Sequence, residues 1–312
     1  MNPEEELKKK KYGLYKNSAV QICLWTKNSL RNEGVCFKQK FYGIQCHRCM
    51  QFSPTMLCNL RCVYCWRPME IERQAATEQE PERIINNLIK ERKKLMNGFG
   101  SYVEKGKISR QKFREATEPN FFTFSLIGES TLYPKLPEMI KLLKKKGVVF
   151  LVTNGTVPEM LERLSKEVAL PTQLTLTLAS SNKKDFEKIS RPLSKDCWEK
   201  INQTLKLFKK IECRKVIRII LMNKINDDEK KIEEFAQLIK TAEPDFIHIK
   251  AYMWIGFSRE RLKKENMPTN KEVKEFAKKI LKFLKGYKID GEQEISRVVL
   301  LSNGKKEKRI TL

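Results

Sequence analysis

The sequence predicts an α/β protein: an incomplete (β/α)6, TIM-like barrel that follows an N-terminal extension rich in cysteine. Two observations lead to this fold class. Short apolar segments typical of buried strands alternate with longer polar segments that have helical periodicity. Strands separated by helices in this way form a parallel sheet with right-handed crossovers, and six such units make an incomplete barrel.

The elements follow in order after residue 50. Predicted strands cover residues 51–57, 121–127, 148–153, 173–178, 215–222 and 245–253. Predicted helices cover residues 80–97, 135–146, 157–168, 196–211 and 228–241, and a helix at 270–284 and a strand at 295–301 complete the C-terminal side. Residues 98–118 are interpreted as a charged excursion. We therefore divide the chain into an extension, 1–50, and a barrel, 51–312, with the reactive site at the carboxyl ends of the strands.

Composition indicates a globular protein outside the membrane. Hydrophobic residues make up 40% of the 312 residues. The first residues, MNPEEELKKKK, are charged throughout, unlike a signal peptide, and the apolar runs are too short to cross a bilayer. We therefore expect a cytoplasmic protein whose nine cysteines do not form a disulfide framework, because that compartment is reducing.

The chain is strongly basic. It holds 63 Lys and Arg against 38 Asp and Glu, a formal net charge of +25. Any one basic run is typical of a solvated helix face, and Lys-rich chains from thermophiles are also basic. A net excess of this size still creates a field that attracts polyanions, and nucleic acid is favoured over an anionic membrane.

Three cysteines lie within eight residues of the segment MLCNLRCVYCWRP, at Cys58, Cys62 and Cys65. Structural zinc sites need four ligands, so this C-x3-C-x2-C run leaves one coordination position without a protein ligand unless a distant residue supplies it. In a four-iron cluster, three thiolates hold three irons and leave the fourth open to a small molecule. The spacing favours such a cluster, with a zinc knuckle as the alternative.

The extension carries a second set of cysteines. Cys23, Cys36 and Cys49 recur at intervals of thirteen residues, and Cys46 adds a C-x2-C pair with Cys49. One interpretation is a zinc site formed by all four thiolates. The other is a second cluster on three thiolates, again with one open iron.

The first cysteine run, with Tyr64 before its last cysteine, resembles the signature of the radical S-adenosylmethionine (SAM) enzymes. The resemblance implies that SAM binds the open iron of a [4Fe–4S] cluster and is cleaved to a 5′-deoxyadenosyl radical. Further SAM-binding residues are then expected at strand ends: Gly128, Glu129, Ser130, Asn154, Thr177 and Arg218.

Each of these residue types suits one part of SAM. Glycine at position 128 lets the backbone approach the SAM amino group, and Glu129 can accept a hydrogen bond from it. Thr177 would bond the ribose and Arg218 the carboxylate. Asn154 is equally compatible with a plain turn, and Arg218 with a solvent-facing or structurally paired side chain.

Longer segments resemble the archaeal 4-demethylwyosine synthases over nearly the whole chain. They are FKQKFYGIQCHRCMQFSPTMLCNLRCVYCWRP, LIGESTLYP, RPLSKDCWEKIN and KAYMWIGFSRERL. The resemblance implies an enzyme that acts on tRNA(Phe) bearing N1-methylguanosine 3′ of the anticodon and adds two carbons from pyruvate to form 4-demethylwyosine. It also implies two [4Fe–4S] clusters, the auxiliary one on Cys23, Cys36 and Cys49, with Cys46 not a ligand.

Two positions depart from the family pattern. Ser130 stands where proline is usual, and residues 176–182 lack an Asp expected near Ala179. Both departures bear on the residues assigned to the SAM ribose, and neither touches the cluster ligands.

The implied chemistry needs an activated pyruvate. A radical removes hydrogen from the N-methyl group, and the resulting carbon radical attacks C2 of pyruvate with loss of C1. The open iron of the auxiliary cluster can chelate pyruvate, and a lysine can instead, or also, form a Schiff base with it. Lys38, beside Cys36, is the predicted catalytic lysine; Lys40 is the neighbouring candidate, and ordinary phosphate contact is the alternative role.

The target purine must leave the anticodon stack, so aromatic and basic side chains are expected at the mouth of the site. The candidates are Phe41, Tyr42, Trp66, Trp254, Phe257 and Arg259. We expect a monomer that receives electrons from a separate protein. Two other functions stay open: a radical SAM enzyme with another substrate, which leaves the charge unexplained, and a zinc-dependent RNA-binding protein, which leaves the three-cysteine site unexplained.

Overall fold

A computed structural model describes residues 3–68 and 79–311 of the chain. Its strands are β1 Tyr12–Tyr15, β2 Ser18–Gln21, β3 Cys49–Ser53, β4 Phe121–Phe124, β5 Val148–Thr153, β6 Gln173–Leu178, β7 Arg214–Leu221, β8 Phe246–Ala251, β9 Lys288–Gln293 and β10 Val298–Ser302. They form one sheet in the order β1-β2-β3-β4-β5-β6-β7-β8-β10-β9.

Twelve α-helices are present in the described ranges. They are α1 Pro3–Lys9, α2 Leu24–Leu30, α3 Phe37–Tyr42, α4 Pro81–Asn97, α5 Gly100–Glu104, α6 Arg110–Thr117, α7 Leu136–Lys144, α8 Pro158–Lys166, α9 Lys183–Ser190, α10 Cys197–Phe208, α11 Glu229–Ala242 and α12 Asn270–Leu281. Short 3-10 turns cover Cys46–Arg48, Ser130–Leu132, Gly256–Glu260 and Lys264–Asn266. Of the helices so described, none is long and apolar enough to span a membrane.

The predicted α/β class is confirmed, and the sheet is mixed. Its six central strands, β3 to β8, lie side by side in sequence order and are parallel. Two of them, β5 and β6, have the predicted bounds. The first predicted strand, 51–57, is observed as Cys49–Ser53, so residues 54–57 belong to the loop that follows.

The sheet extends beyond the prediction at both ends. The hairpin of β1 and β2 pairs antiparallel with β3, and β9 pairs antiparallel with β10. These strands were missed because β1 and β2 are only four residues long and β9 is largely polar. Residues 98–118, interpreted as a charged excursion, contain α5 and α6.

Alternate residues of each strand face two different layers, as the period of two in a strand requires. On β8, Ile247 and Ile249 pack in the largest apolar core together with helix residues such as Phe235 of α11. Phe246, which precedes Ile247, packs on the opposite, inner face with Phe37 and Tyr42 of α3. The inner face is therefore lined by α3 rather than by the crossover helices.

The sheet curves around α3. Phe37 lies 5.3 Å from the ring of His248 on β8, whereas the next residue, Lys38, places its Nζ 3.7 Å from Cys49 Sγ on β3. In a flat sheet, β3 and β8 would be separated by about 24 Å, which is five strand spacings. Two neighbouring residues of one short helix can contact both strands only because the sheet bends.

Candidate active site

The cysteine loop, residues 54–67, follows β3 and is fixed by backbone contacts. The N–H groups of Arg61 and Val63 donate to the carbonyls of Ser190 and Ile189 at 2.9 and 2.8 Å. The Arg61 guanidinium donates to the Cys58 carbonyl at 2.8 Å, and Arg261 donates to the Cys65 carbonyl. These hydrogen bonds fix the backbone of the three cysteines.

The three thiols of this loop are half-buried and share one electrostatic environment. Burial raises the pKa of the Cys62 thiol, and negative charge on Cys58 and Cys65 raises it further. Burial also raises the pKa of the Tyr64 phenol, with Cys62 as the next cause. Three clustered thiols form a donor set suited to soft metals and iron–sulfur clusters.

Within residues 3–68 and 79–311, no three Cys, His, Asp or Glu side chains converge on a position for a single ion. A four-iron cluster does not need such convergence, since each thiolate binds a different iron. The donor type and spacing of Cys58, Cys62 and Cys65 therefore fit a cluster.

Gly128, after β4, lies directly against the cysteine loop. Its φ is +79°, and a Cβ there would meet the carbonyl oxygens of Thr55 and Leu57 at 2.6 Å. Only glycine fits so close a backbone approach. The N–H of Glu129 donates to the Leu57 carbonyl at 2.6 Å, which ties the end of β4 to the start of the loop.

The Glu129 carboxylate joins the ends of β4 and β5. Oε1 accepts from the Thr153 hydroxyl at 2.8 Å and from Thr131, and Oε2 accepts from the Asn154 N–H at 2.7 Å. Burial raises the pKa of this carboxyl, and the hydrogen bond from Asn154 opposes that shift. The Asn154 side chain donates to Asn59 at 3.1 Å, and its Oδ1 accepts from the Thr156 N–H at 3.0 Å, as in a turn.

Thr177 and Arg218 lie opposite each other on β6 and β7. Arg218 is half-buried, and burial lowers its pKa to about 10; its Nε has no hydrogen-bond partner among the described residues. Tyr42 and Tyr64 are the titratable groups that next affect its pKa. Within the described residues, Arg218 is therefore not paired with a carboxylate.

The N-terminal cysteines occupy the starts of three elements. Cys23 is the N-cap of α2, Cys36 is the N-cap of α3, and Cys49 opens β3. Burial raises the pKa of Cys23, and Cys49 and then Cys36 contribute to that shift. The fold thus brings together three thiols that are 26 residues apart along the sequence.

Lys38 points at this second set of thiols. Its Nζ donates to the Thr123 hydroxyl at 2.7 Å and to Cys49 Sγ at 3.7 Å. Burial lowers the pKa of the Lys38 amine, but the charges of Cys49, Cys36 and Cys23 outweigh burial and raise it. Lys40, two residues further along α3, is exposed.

Cys46 is hydrogen-bonded to Cys36, which sets it apart from the other three N-terminal thiols. Its Sγ donates to Cys36 Sγ at 3.0 Å, and the Cys36 N–H donates to Cys46 Sγ at 3.2 Å. This hydrogen bond from Cys46 is the main cause that lowers the pKa of the Cys36 thiol and raises that of Cys46. Cys36 is therefore the thiolate of the pair and Cys46 the thiol.

Arg92 of α4 is a functional candidate that sequence reasoning missed. It is 1% exposed and donates to the carbonyls of His47 at 3.2 Å and Cys49 at 3.1 Å. Burial lowers its pKa to about 10. The basic run at residues 92–94 is of the kind that is typical of a solvated face, yet Leu88, Arg92 and Met96 are spaced by four and share the buried stripe of α4.

Two of the residues expected at the mouth belong to the core instead. Phe41 is 2% exposed and Tyr42 is fully buried, with the Tyr42 hydroxyl bonded to His248. They face inward because they lie on α3, which fills the curved sheet.

The other candidates for the mouth lie nearer the surface. Trp66 is 41% exposed, and the Arg67 guanidinium lies 3.4 Å from its ring centroid. Arg259 lies 4.8 Å from the ring centroid of half-buried Trp254, and Lys10 lies 4.4 Å from that of Phe257. Stacked cations and aromatic rings at these positions remain compatible with contact to a base.

Two parts of the chain match known families. Residues 52–239 match the radical SAM superfamily, and residues 241–303 match a family described as wyosine base formation. The first match includes the cysteine loop, the end of β3 and all of β4 to β7. The fold and the three-cysteine loop thus define a radical SAM enzyme.

Relatives identify the family within this class. The tRNA 4-demethylwyosine synthase of Pyrococcus abyssi is 40% identical over 291 residues, 92% of this chain and 84% of the relative. That of Methanocaldococcus jannaschii is 35% identical and covers 97% of both chains. A solved structure of TYW1 with a lysine-pyruvate adduct bound has a TM-score of 0.87 at 33% identity, covering 99% of this chain and 98% of that one. The chain belongs to the tRNA 4-demethylwyosine synthases, which are wyosine-forming radical SAM enzymes.

Proposed function

We propose that this enzyme condenses N1-methylguanosine, 3′ of the anticodon in tRNA(Phe), with pyruvate to form 4-demethylwyosine. The observation that carries the proposal is the place of Lys38, whose Nζ lies 3.7 Å from Cys49 Sγ on the inner face of the sheet. The Lys38 amine, which can bind a ketone, thus lies beside Cys49 at the start of β3, and the cysteine loop follows the end of that strand.

The curvature of the sheet supports an incomplete (β/α)6 barrel preceded by an extension over residues 1–50.

Two [4Fe–4S] clusters are assigned to the two thiol sets. Cys58, Cys62 and Cys65 would hold one, and Cys23, Cys36 and Cys49 the auxiliary one. When bound, the first supplies the electron that cleaves SAM to its radical, and the second offers an open iron to pyruvate. Two cations, half-buried Lys38 and buried Arg92, offset the negative charge of the auxiliary thiolates. Cys46 acts as a hydrogen-bond donor to the ligand Cys36.

SAM is proposed to lie between the cysteine loop and the ends of β4 to β7. The residues that would hold it are Tyr64, Gly128, Glu129, Ser130, Asn154, Thr177 and Arg218. Glu129 Oε2 accepts a hydrogen bond from Asn154, and a carboxylate oxygen can accept a second one, here from the SAM amino group. Arg218 would pair with the SAM carboxylate, because its Nε lacks a partner in the described structure.

Lys38 is proposed to form a Schiff base with pyruvate. The Lys38 ammonium first loses a proton to solvent; the free amine then attacks the C2 carbonyl carbon, a C–N bond forms, and the carbonyl oxygen leaves as water with the two hydrogens of the amine. The Thr123 hydroxyl, 2.7 Å from Nζ, holds the amine in place during this step. The imine draws electrons from C2, which favours attack there by the carbon radical of the methylated base. Lys40 is not preferred, because it is exposed.

The partners follow from charge and chemistry. A net charge of +25 supports binding of a polyanion such as tRNA. We propose that the protein is a cytoplasmic monomer and that a separate electron-donor protein reduces the cluster of Cys58, Cys62 and Cys65.

An anaerobic assay tests the function. The reconstituted enzyme is mixed with SAM, pyruvate, a reductant and tRNA(Phe) carrying N1-methylguanosine, and the nucleosides are analysed by mass spectrometry. We expect 4-demethylwyosine only when all four are present, with two carbons of labelled pyruvate in the product. SAM cleavage without this product, under conditions in which the tRNA is bound, would refute the proposed substrate pair.

A further inference from the structure

Lys250 lies on the inner face of the sheet, beside the start of α3. Residues 246, 248 and 250 alternate to this face of β8; His248 contacts Phe37, and Lys250 Nζ lies 5.4 Å from the centroid of the same ring. On β8, Lys250 follows His248 by two residues. Lys250 lies opposite Ile220 of β7, and His248 lies opposite Arg218 of the same strand. Because Phe37 directly precedes Lys38, both amines stand around the first turn of α3.

The surroundings of Lys250 are rich in positive charge. Burial, followed by the charge of Arg218, lowers the pKa of its amine to about 8, and Lys38 contributes in the same direction. Cys36 is the one group with a marked opposing effect. By contrast, Lys231 of α11 lies 2.8 Å from Asp228. Among the described residues, no carboxylate lies within ion-pair distance of the Lys250 ammonium.

Removing a cation from water, even in part, costs free energy when no counter-ion is present, so the half-buried Lys250 is expected where a ligand supplies the anion. Four cations face this layer: Lys38, Arg214, Arg218 and Lys250. The Arg214 guanidinium is already engaged, because it donates to the Gln173 side chain at 2.9 Å and to the Lys308 carbonyl at 2.9 Å. In the proposed function, Arg218 forms an ion pair with the SAM carboxylate, and Lys38 Nζ forms the imine. Lys250 is then the cation of this face that is left to pair with the carboxylate of the other small substrate, the α-keto acid.

We propose that the Lys250 ammonium binds the carboxylate of the α-keto acid whose carbonyl carbon reacts with Lys38. This inference rests on the proposed function and adds a specificity determinant to it. The ion pair holds the substrate by its C1 carboxylate and presents C2 to the neighbouring amine. A short α-keto acid is then preferred over an uncharged analogue of the same shape, such as pyruvamide.

The test measures trapping of the imine rather than turnover. Reconstituted enzyme is treated with borohydride and increasing pyruvate or pyruvamide, without SAM or tRNA, and the attached carbons are located by peptide mass spectrometry. In the wild type we expect label on Lys38 and half-saturation by pyruvate at a concentration about tenfold or more below that of pyruvamide, the size of one charged hydrogen bond.

Variants separate the charge from the packing. Lys250→Met should raise the half-saturating concentration of pyruvate about tenfold and abolish the preference over pyruvamide. Lys250→Arg should keep the preference, and Lys250→Gln repeats the test should the methionine variant lose iron. Lys271→Met, an exposed lysine of α12, should change neither value.

Several outcomes would overturn the inference. One is a full preference for pyruvate in Lys250→Met, and another is label on Lys250 itself in the wild type. If no lysine is trapped in the wild type, the imine of the proposed function is refuted. The contact between Lys250 and the substrate carboxylate is then tested by a second measurement. In enzyme lacking Cys58, Cys62 and Cys65, pyruvate should alter the electron paramagnetic resonance (EPR) of the auxiliary cluster. An unchanged midpoint of that response in Lys250→Met would refute the carboxylate contact.

Discussion

The ammonium of Lys38 donates a hydrogen bond of 2.7 Å to the hydroxyl of Thr123, 85 residues away in the sequence. The same nitrogen lies 3.7 Å from Cys49 Sγ and 4.6 Å from the centroid of the Phe150 ring. Contacts from β3, β4 and β5 therefore hold one flexible side chain in a single position. A lysine held in this way loses little further rotamer entropy when a substrate binds.

The role of Lys38 predicts a selective loss. Lys38→Ala should retain iron and SAM cleavage while losing both borohydride trapping of pyruvate and tricyclic product, because the amine forms the imine. Lys40→Ala is the matched control and should behave as the wild type, since Lys40 is exposed. Normal product formation by Lys38→Ala would refute the Schiff base and leave chelation by the open iron as the mode of pyruvate binding.

Metal content provides a second prediction. Anaerobic reconstitution should give about eight irons and eight labile sulfides per chain, from two four-iron clusters. Replacement of Cys58, Cys62 and Cys65 by Ala should leave about four irons and abolish SAM cleavage. Cys46→Ala should keep both clusters, because its Sγ donates to Cys36 instead of serving as a ligand. Stoichiometric zinc in the N-terminal set would contradict the auxiliary cluster.

Arg92 should tune the auxiliary cluster. Its guanidinium is buried, donates to the Cys49 carbonyl, and has no carboxylate among the groups that shift its pKa. Removal of this charge in Arg92→Met should destabilise the reduced, more negative cluster and make its reduction potential more negative. The measurement is an EPR-monitored redox titration in enzyme lacking the other three cysteine ligands, with Arg92→Lys as the charge-preserving control. An unchanged potential in Arg92→Met would contradict this role.

Binding of tRNA should weaken steeply with salt. Several phosphates would be neutralised by the basic surface, and each releases counterions, so the logarithm of affinity should fall linearly with the logarithm of salt concentration. Filter binding or fluorescence anisotropy between low and moderate salt measures the slope. A flat salt dependence, or no binding at low salt, would contradict a nucleic-acid substrate.

The preference for a carboxylate should depend on pH. The pKa of Lys250 is lowered to about 8, so its amine becomes neutral above that pH and the ratio of pyruvate to pyruvamide affinity should fall towards one. The groups that face it are Arg218 of β7, Lys38 and Cys36 at the start of α3, and His248 of β8, whose pKa burial lowers well below its usual value.

Protonation of Lys38 cancels in this ratio, because both ligands react with the same amine. Lys250→Arg should give a ratio that does not change with pH, since a guanidinium stays charged. A wild-type ratio that is constant from pH 7 to well above the pKa of Lys250 would argue against the ion pair.

The amino-acid sequence by itself determined the local features of this enzyme. The spacing of Cys58, Cys62 and Cys65 and the apolar segments of β5 and β6 are short-range patterns, and the structure has those two strands at the predicted bounds. The glycine at position 128 is also a local feature, and the close backbone approach that the structure shows there is to Thr55 and Leu57 of the cysteine loop. These features depend on chain geometry within a few residues.

Tertiary structure decided which distant side chains meet. The sequence did not show that Phe41, Tyr42 and Arg92 are buried, nor what they contact. The parallel register sets Thr177 opposite Arg218, and the curvature of the sheet around α3 brings Lys38 to Thr123 and Lys250 to Phe37. Burial without a counter-ion, complete for Arg92 and partial for Arg218 and Lys250, is a property of the folded chain. It arises only when elements far apart in the chain exclude water together.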